Sequence, residues 1–305
     1  MRILVMGAGA VGGYFGGQLA ANGHDVTFGA RGAHATAMRE SGLVIRSDRG
    51  ELRIEPAKLL GDPGVSGPFD VALIAVKMYD LAPAVAALAP HVGPGTAVIP
   101  LENGVDAESE LEGLLPIGCL CGGVAEIGSH IEAPGVIRHI GTMARLRFGE
   151  LDGSRSARLE ALAAACAASG IEHYLTDTIR TAIWTKFCFL APFATITTLA
   201  ARPIGPIRDD ATLWQQFGLL LQEAVTVARA SGIALPADVV EDRLAHTGRL
   251  PATMQSSMLT DFQAGRRLEL DWITGAVVRR GTALDVPSPV TLACYDAIKA
   301  RLPRA

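Results

Sequence analysis

The sequence predicts an α/β protein whose N-terminal part is a doubly wound parallel sheet and whose C-terminal part is all helical. Three observations lead to this prediction: a glycine-rich turn between a strand and a helix at the start of the chain, an alternation of apolar strands and helices through the first half, and a series of helical segments in the second half. A chain of 305 residues is long for one hydrophobic core, so two domains are expected, spanning residues 1–175 and 176–305.

The chain opens with a strand, a glycine-rich turn, a helix and a second strand, all within its first 31 residues. The turn consists of six consecutive residues, Gly7, Ala8, Gly9, Ala10, Val11 and Gly12. In a GxGxxG turn the first glycine permits the tight bend, the second lets a pyrophosphate approach the backbone, and the third lets the helix pack closely on the strand. Because the phosphates would rest on the helix N-terminus, this framed motif predicts a Rossmann-like dinucleotide site; a glycine turn with no ligand is the alternative.

The end of the second strand indicates which nicotinamide cofactor is bound. An NAD site usually places an acidic residue there to bind the ribose 2′-hydroxyl, whereas an NADP site places an arginine. Here the strand 25–28 leads to Arg31, while Asp25 lies at the beginning of the strand. The guanidinium of Arg31 can hold a 2′-phosphate with paired hydrogen bonds, so we predict NADP(H) as the cofactor. A solvated loop arginine is the alternative.

Composition excludes several other classes of protein. The chain has 49% hydrophobic and 19% charged residues and a net charge of -4, which is typical of a soluble globular protein. It has no basic stripe with interleaved aromatic residues, so no nucleic-acid partner is expected. The longest uncharged run, 187–201, is too short for a typical membrane span and is interpreted as a buried helix and its exit.

The five cysteines are odd in number and scattered, and none has the spacing of a zinc site. We therefore expect no metal centre and reduced, buried thiols. No small-residue cleavage site precedes the glycine motif, so no signal peptide is predicted. Both observations favour a cytoplasmic protein.

Polar residues follow two later strands of the predicted sheet, at the point where each strand ends. Lys77 comes directly after the apolar run 69–76, and Asn103 follows the run 97–101. In open parallel sheets ligands bind at the carboxyl ends of the strands, so both side chains are expected to meet cofactor or substrate. The alternatives are a solvent-facing lysine and, for Asn103-Gly104, a simple turn.

The pattern changes after residue 119 and again after residue 154. Short strands broken by Pro134-Gly135 and Gly141 predict an antiparallel extension of the sheet up to residue 149. Beyond residue 154 the segments are mostly helical. The predicted helices span 158–169, 178–191, 213–231, 237–247, 254–265, 269–284 and 289–302.

Two groups of polar residues in the helical half are candidates for the chemistry. Lys186 interrupts an apolar helix, so its amine either extends to solvent or points into a cleft, where it could act as a proton donor. Ser256-Ser257, at a helix start, could offer a hydroxyl to a substrate carboxylate, and Glu269 could accept from a substrate hydroxyl. Alternatively, the serines are helix caps and Glu269 belongs to a surface cluster of charges.

Taken in order along the chain, these motifs resemble those of the ketopantoate reductases (2-dehydropantoate 2-reductases). The residues that carry the resemblance are Gly7-x-Gly9-x-x-Gly12, Arg31, Val76-Lys77, Glu102-Asn103-Gly104, Pro134-Gly135-x-x-x-His139, Trp184-x-Lys186, Ser256-Ser257-Met258-Leu259-x-Asp261 and Glu269-x-Asp271. The resemblance covers nearly the whole chain. It implies an N-terminal Rossmann domain, a C-terminal helical domain, and NADPH-dependent reduction of a 2-oxo acid in the cleft between them.

The resemblance also implies a role for each candidate residue. Lys186 would donate the proton to the carbonyl oxygen, and Asn103 and Lys77 would position the nicotinamide end and the substrate. Ser257 would hold the substrate carboxylate, and Glu269 would bind near the nicotinamide and the substrate hydroxyl. Such a reduction places negative charge on the carbonyl oxygen, where a cationic acid both stabilises the charge and delivers the proton.

The chain departs from the family at three positions after Lys186. The family usually has asparagines one turn later, two turns later and further along, where this chain has Leu190, Ala194 and Ile204. Residues spaced by four share a helix face, so the wall beyond the lysine is apolar where amides would bind the hydroxyl of ketopantoate. Each missing hydrogen bond costs about 0.5–1.5 kcal/mol where water does not replace it. We therefore hypothesise that the protein prefers a more apolar 2-oxo acid or binds ketopantoate poorly.

Two other classes of protein remain open. One is a different Rossmann-plus-helical dehydrogenase, acting on a 3-hydroxy acid or an opine, although the serine pair and Glu269 argue against it. The other is a non-catalytic NADPH-binding sensor, although the presence of Lys186 argues for an enzyme. The expected partner is a small-molecule 2-oxo acid, and the apolar helical half is compatible with a homodimer.

Overall fold

The computed structural model describes residues 1–48 and 50–303, and the chain divides into two compact units. Unit 1 comprises Met1–Glu102 and Ala107–Ile179, and unit 2 comprises Asn103–Asp106 together with the chain from Arg180 onward. The segment Asn103–Asp106 therefore belongs to unit 2, although its chain neighbours on both sides belong to unit 1. The predicted domain limits of 1–175 and 176–305 do not assign Asn103–Asp106 to the second unit, and these limits stay a prediction.

Unit 1 is built from strands and helices that alternate along much of the chain. Its strands are β1 (Arg2–Met6), β2 (Asp25–Gly29), β3 (Leu43–Ser47), β4 (Gly50–Ile54), β5 (Val71–Ile74), β6 (Ala97–Pro100), β7 (Cys121–Ala133), β8 (Val136–Glu150) and β9 (Glu172–Leu175). Its helices are α1 (Ala10–Ala21), α2 (Gly32–Ser41), α3 (Leu81–Leu88), α4 (Ala107–Leu111) and α5 (Ala157–Ala168), with 3-10 turns at Met78–Asp80 and Ala89–His91.

A parallel sheet with the strand order β2-β1-β5-β6 forms the first layer of unit 1. Its strands are shielded on both faces: Ile3, Leu4 and Val5 of β1 have 0% of their surface exposed, which is typical of parallel strands. α1 packs closely on this sheet because small residues face it; a Cβ on Gly16 would lie 2.8 Å from Cε1 of Phe28. The predicted α/β fold with a Rossmann-like parallel sheet is confirmed.

A second sheet has the strand order β4-β3-β8-β7, and β9 pairs with β8. β7 and β8 form a long antiparallel hairpin in which Cys121 lies opposite Glu150 and Ala133 lies opposite Val136. The predicted antiparallel strands are therefore present, but they belong to this mixed sheet instead of extending the first one. The sequence did not predict α2, β3 or β4. β4 alternates polar and apolar residues from Glu51 to Ile54, but this run of four residues is the shortest from which a strand can be identified.

Unit 2 is helical throughout the described residues that follow Arg180. Its helices are α6 (Ile179–Ala200), α7 (Ile204–Arg208), α8 (Ala211–Ala230), α9 (Val239–Gly248), α10 (Ser257–Gln263), α11 (Leu270–Ala283) and α12 (Pro289–Lys299). The predicted helical C-terminal half is confirmed. α7 is the helix of this unit that sequence patterns missed, because five residues are too few for a helical period to show.

α6 is longer than predicted, because it continues beyond Pro192 instead of ending before it. A proline inside a helix removes one backbone hydrogen bond. Its neighbours Ala191 and Phe193 are only 1% and 3% exposed, so tertiary packing offsets that cost. With 22 residues, α6 is long and apolar enough to cross a membrane by length and composition, but 67% of its most apolar window is buried inside the protein, as in a core helix.

The cysteines are buried and form no disulfide, as predicted; they are Cys119, Cys121, Cys166, Cys188 and Cys294. Burial raises the pKa of Cys166 and of Cys188 to about 12 and that of Cys294 to about 11. Thiols with such pKa values stay protonated at neutral pH and are poor nucleophiles. These cysteines therefore act as small apolar residues of the core.

Candidate active site

The three glycines of the N-terminal turn have different surroundings. Gly7 has a φ of +95°, and a Cβ there would lie 2.6 Å from the carbonyl oxygen of Ala75, so the turn requires glycine. A Cβ on Gly12 would lie 2.3 Å from the carbonyl oxygen of Gly7. At Gly9, by contrast, the nearest atom of the described residues is Cδ1 of Ile131, at 4.0 Å. The packing of the protein explains Gly7 and Gly12, whereas Gly9 leaves open space that suits a pyrophosphate.

The glycine turn is held at the end of β2 and leads into α1. The backbone N–H groups of Gly7 and Ala8 both donate to the carbonyl oxygen of Gly29, at 3.0 Å each. The first N–H groups of a helix have no acceptor inside the helix; in α1 they belong to Gly9, Ala10, Val11 and Gly12. The first turn of α1 contains no acidic residue, so these N–H groups and the helix dipole suit a bound phosphate.

Arg31 lies two residues beyond β2 and directly precedes α2. Its side chain is 71% exposed and forms an ion pair with Asp80, with a distance of 2.8 Å between the charged atoms. Asp25, at the opposite end of β2, accepts a hydrogen bond of 2.9 Å from Lys58, which holds the pKa of this carboxyl below its ordinary value. The acidic neighbour of Arg31 is therefore Asp80. Sequence reasoning missed Asp80 because this residue follows a different strand, β5.

Lys77 lies at the carboxyl end of β5, where it directly precedes the 3-10 turn Met78–Asp80 and is half-buried. The preceding residue, Val76, packs on the glycine turn: a Cβ on Gly7 would lie 2.9 Å from its Cγ1. The backbone N–H of Val76 also donates to Oε1 of Glu102 at 3.2 Å. The structure thus places Lys77 at the same edge of the sheet as the glycine turn.

His34 joins the glycine turn to the β7–β8 hairpin, and sequence reasoning did not single it out. Its Nδ1 accepts a hydrogen bond of 3.0 Å from the backbone N–H of Gly135. Its Nε2 lies 2.8 Å from the carbonyl oxygen of Ala8. Because Nδ1 accepts, the ring proton must be on Nε2, which donates to Ala8. The imidazole therefore holds the backbone of the turn from the first turn of α2.

Lys186 of α6 is half-buried, and its amine is hydrogen-bonded within unit 2. Nζ donates to Oδ1 of Asn103 at 2.8 Å. An ammonium group has only donors, so the Asn103 atom that faces it must be the amide oxygen, and the amide NH2 is directed elsewhere. The structure therefore joins two of the predicted site residues directly. The alternative of a lysine extended into solvent does not describe this side chain.

The two serines before α10 differ in surroundings. The hydroxyl of Ser256 caps α10 by accepting from the backbone N–H of Leu259 at 3.0 Å, and it lies 2.8 Å from the hydroxyl of Thr197. Ser256 is 5% exposed. Ser257, the first residue of the helix, is exposed. The capping interpretation therefore holds for Ser256, whereas the hydroxyl of Ser257 remains accessible to a ligand.

Glu269 is the N-cap residue of α11, and it is only 4% exposed. The interpretation of Glu269 as one charge of a surface cluster is therefore wrong. Its neighbour in that cluster, Arg266, instead donates to Oδ1 of Asp261 at 2.8 Å. A carboxyl buried at the start of a helix can accept hydrogen bonds from a neighbouring hydroxyl.

The part of unit 2 that follows Lys186 is apolar at the three positions noted in the sequence. Leu190 is half-buried, and Ala194 and Ile204 are 1% and 0% exposed. Two nearby hydroxyls of α6 are bonded within the protein: that of Thr195 lies 2.8 Å from the hydroxyl of Thr274, and that of Thr197 lies 2.8 Å from the hydroxyl of Ser256. The buried hydroxyl of Thr198, by contrast, has no partner among the described residues. The side chains described at these positions offer no amide to a substrate hydroxyl.

The predicted site residues are divided between the two units. The glycine turn, Arg31 and Lys77 belong to unit 1, and Asn103, Lys186, Ser257 and Glu269 belong to unit 2. Among residues 1–48 and 50–303, no group of three or more His, Cys, Asp or Glu side chains is arranged to hold a metal ion.

Comparison with known proteins gives a consistent family description. A family model described as ketopantoate reductase PanE/ApbA matches residues 3–153, and the model of the ketopantoate reductase PanE/ApbA C terminal matches residues 178–302. The chain is also 33% identical over 295 residues to the uncharacterized oxidoreductase YkpB of Bacillus subtilis, with 97% of each chain covered.

Solved structures give the same description. A crystal structure of 2-dehydropantoate 2-reductase from Methylococcus capsulatus has a TM-score of 0.88 and 33% sequence identity, with 98% of this chain and 96% of that chain covered. A ternary structure of D-mandelate dehydrogenase with NADH and anilino(oxo)acetate also has a TM-score of 0.88, with 98% of each chain covered. Its identity of 23% shows a shared fold and no more.

Proposed function

The chain belongs to the ketopantoate reductase family, and from this premise we propose that it uses NADPH as the hydride donor and Lys186 as the proton donor. Membership of the family makes it an oxidoreductase that reduces a 2-oxo acid to a 2-hydroxy acid. One observation carries the finer proposal: the 2.8 Å hydrogen bond from Nζ of Lys186 to Oδ1 of Asn103, which holds a cationic acid in a defined position.

NADPH, when bound, supplies a hydride to the carbonyl carbon of the 2-oxo acid. As negative charge grows on the carbonyl oxygen, the ammonium group of Lys186 stabilises that charge and donates its proton to the oxygen. The amine of Lys186 is then neutral and regains a proton from water. Ser257 donates a hydrogen bond to the substrate carboxylate, and Glu269 accepts one from the hydroxyl of the product.

Unit 1 would bind the nucleotide. The open space at Gly9 and the N–H groups at the start of α1 suit the pyrophosphate. Lys77, at the same sheet edge, and Asn103 would position the nicotinamide end. The exposed guanidinium of Arg31 suits a ribose 2′-phosphate, because it can bind two phosphate oxygens at once.

The choice of NADPH over NADH depends on Arg31. The fold itself does not make this choice, since the D-mandelate dehydrogenase with the same fold was solved with NADH. Asp80, the partner of Arg31, is a second residue that could determine this choice, because a carboxylate beside the ribose could accept a hydrogen bond from the 2′-hydroxyl of NADH. We favour NADPH because Arg31 comes directly after β2, where the ribose of a Rossmann-bound dinucleotide is recognised.

We also propose that the substrate is a 2-oxo acid with an apolar side chain. Leu190, Ala194 and Ile204 offer no side-chain hydrogen-bond partner, and the hydroxyls of Thr195 and Thr197 are bonded within the protein. The hydroxyl of Thr198 has no partner among the described residues, but this side chain is 0% exposed. A substrate hydroxyl buried against these groups would lose its hydrogen bonds to water without replacement.

Steady-state kinetics with both dinucleotides and a panel of 2-oxo acids test this function. We expect oxidation of NADPH, faster than that of NADH, with at least one 2-oxo acid. A panel that also includes amino acids for opine formation and 3-hydroxy acids for the reverse reaction separates the protein from other two-domain dehydrogenases. NADPH binding without turnover of any of these substrates would instead indicate a sensor. The homodimer and the cytoplasmic location stay predictions.

A further inference from the structure

The segment Asn103–Asp106 lies outside the helices and strands, but its last residue is hydrogen-bonded within unit 2. The carboxylate of Asp106 is 13% exposed and receives hydrogen bonds from two consecutive arginines of α11. Arg280 donates to Oδ1 through Nε at 3.0 Å and through Nη2 at 2.7 Å. Arg279 donates to Oδ2 at 2.8 Å.

Arg280 also contacts the backbone of the segment and the helix that carries Lys186. Its Nη2 donates to the carbonyl oxygen of Val105 at 2.7 Å. Its guanidinium lies over the ring of Trp184, 5.5 Å from the ring centroid. Trp184 is 7% exposed and precedes Lys186 by two residues in α6. One side chain therefore links α6 to both Val105 and Asp106.

The segment also passes close to the start of α11. A Cβ on Gly104 would lie 3.2 Å from the carbonyl oxygen of Trp272, and Gly104 has a φ of +130°, a backbone conformation that favours glycine. The side chain of Asn103, at the other end of the segment, receives the hydrogen bond of Lys186. The contacts of Asp106 thus hold the segment from one end while Asn103 meets the proton donor at the other.

We propose that Arg280 is a positioning residue that acts through Asp106 and Trp184 to keep the amide oxygen of Asn103 on the amine of Lys186. The inference rests on the proposed role of Lys186 as proton donor. Nε and Nη2 of Arg280 both bind Oδ1 of Asp106, and Nη2 also binds the carbonyl oxygen of Val105. The rigid guanidinium thus holds the segment at two atoms, which a single flexible contact does not. Proton transfer needs this accuracy, because a displacement of about 1 Å can cost about 100-fold in rate.

Arg280→Met, Arg280→Lys and the control Arg279→Met test the proposal. We expect Arg280→Met to lower kcat by about 10- to 100-fold and to weaken NADPH binding much less, because the glycine turn proposed to hold the pyrophosphate belongs to unit 1. Arg280→Lys keeps the charge but loses the planar guanidinium that binds Asp106 and Val105 together, so the kcat of this variant should lie between those of the wild type and Arg280→Met. Arg279 is 52% exposed, so its removal should change kcat by about fivefold or less. Equal losses from Arg279→Met and Arg280→Met would overturn the proposal.

A double-mutant cycle separates positioning from general destabilisation. If Arg280 acts through Asn103, Arg280→Met should have little further effect on kcat in an Asn103→Ala background, because coupled residues are not additive. Multiplicative losses would contradict the proposal. Should Arg280→Met fail to fold, Asp106→Asn enters the same cycle, because it removes the charge that Arg280 holds and leaves an oxygen acceptor.

Hydrogen exchange provides a readout that does not depend on turnover. Loss of the contact between Arg280 and Asp106 should speed the hydrogen exchange of backbone amides at residues 103–106 by at least about tenfold, with no change in β1. Unchanged hydrogen exchange in both Arg280→Met and Asp106→Asn would overturn the proposal that the contact between Arg280 and Asp106 holds the segment. If the wild-type protein reduces no 2-oxo acid, the proposed function fails, whereas the exchange measurement still decides whether Arg280 holds the segment.

Discussion

The amine of Lys186 donates a hydrogen bond of 2.8 Å to Oδ1 of Asn103, a residue 83 positions earlier in the chain. Both residues belong to unit 2, although the chain on either side of Asn103–Asp106 belongs to unit 1. The proposed proton donor and the amide that holds it are therefore parts of one compact body. A substitution of Lys186 should therefore lower kcat without weakening nucleotide binding, whereas a substitution of Asn103, which we propose also positions the nicotinamide end, should affect both.

Replacing Lys186, the proposed proton donor, should abolish most of the activity. Lys186→Met keeps the length of the side chain but removes the acid, so we expect kcat to fall by about 100- to 10,000-fold. Fluorescence titration should give an unchanged Kd for NADPH. Lys299→Met, at an exposed lysine that donates to Tyr295, is the control and should retain wild-type kcat. A wild-type kcat for Lys186→Met would exclude Lys186 as the acid.

The pair of Arg31 and Asp80 should control cofactor choice. Arg31→Ala should weaken NADPH binding by about 10- to 100-fold, because hydrogen bonds to charged groups contribute about 1.5–3 kcal/mol, and should leave NADH binding nearly unchanged. Asp80→Asn releases Arg31 from an exposed ion pair of about 0–1 kcal/mol, so NADPH should bind up to about fivefold more tightly. Kd values for both dinucleotides check this. Weaker NADH binding by Asp80→Asn, with NADPH unaffected, would point to an NADH enzyme.

Substrate preference should follow the apolar side chains after Lys186. Ketopantoate and 3,3-dimethyl-2-oxobutanoate differ by one hydroxyl group, so the ratio of their kcat/KM values measures how the protein treats that group. We expect the substrate without the hydroxyl to be preferred. Leu190→Asn should shift the ratio toward ketopantoate by about 2- to 12-fold, the equivalent of one hydrogen bond of about 0.5–1.5 kcal/mol.

Leu219→Asn is the matched control for this shift, since Leu219 of α8 is 46% exposed. It should leave the ratio of the two kcat/KM values unchanged. A wild-type preference for ketopantoate would reject the apolar substrate.

The adjacent serines should separate stability from substrate binding. Ser256→Ala removes a helix cap and a buried hydrogen bond to Thr197, so the free energy of unfolding should fall by about 1–3 kcal/mol. Ser257→Ala should leave the unfolding transition in place but raise KM for the 2-oxo acid, because it removes the hydroxyl that we propose donates to the substrate carboxylate. Denaturant unfolding and steady-state kinetics measure the two effects. An unchanged KM in Ser257→Ala would remove this residue from the substrate site.

Acid should destabilise unit 1 through Glu150. Burial alone would raise the pKa of this carboxyl, but hydrogen bonds from Arg158 and Ser156 hold it below its ordinary value. A carboxyl with a lowered pKa in the folded state stabilises the fold above its unfolded pKa, and this contribution is lost as the pH falls through the folded value. The free energy of unfolding should therefore decrease below about pH 4.5.

Glu150→Gln tests this pH dependence. The variant should be less stable than the wild type at neutral pH by about 1.5–3 kcal/mol, because Arg158 donates to both oxygens of the carboxylate, at 2.9 Å and 2.7 Å. The difference should shrink as the pH is lowered. A constant difference between pH 7 and pH 3 would contradict the assignment.

Several elements could be predicted from residue order, because each depends on local spacing. The glycine turn, the strands of the parallel sheet and most helices of unit 2 were found from periodicity and glycine placement. The end of α6 was missed because the packing around Pro192 is not visible in a local pattern. β4 and α7 were missed because each has only five residues, too few for a clear period.

Residue order alone was sufficient for the two-part architecture, the family and the choice of Lys186 as a candidate acid. Only the folded chain revealed that Asn103 is grouped with Lys186, that Asp80 pairs with Arg31, and that Ser256 is buried while Ser257 is accessible. The physical reason is that helices and turns reflect interactions between near neighbours, whereas these contacts join segments far apart in the chain. Which distant segments meet depends on the packing of the whole core.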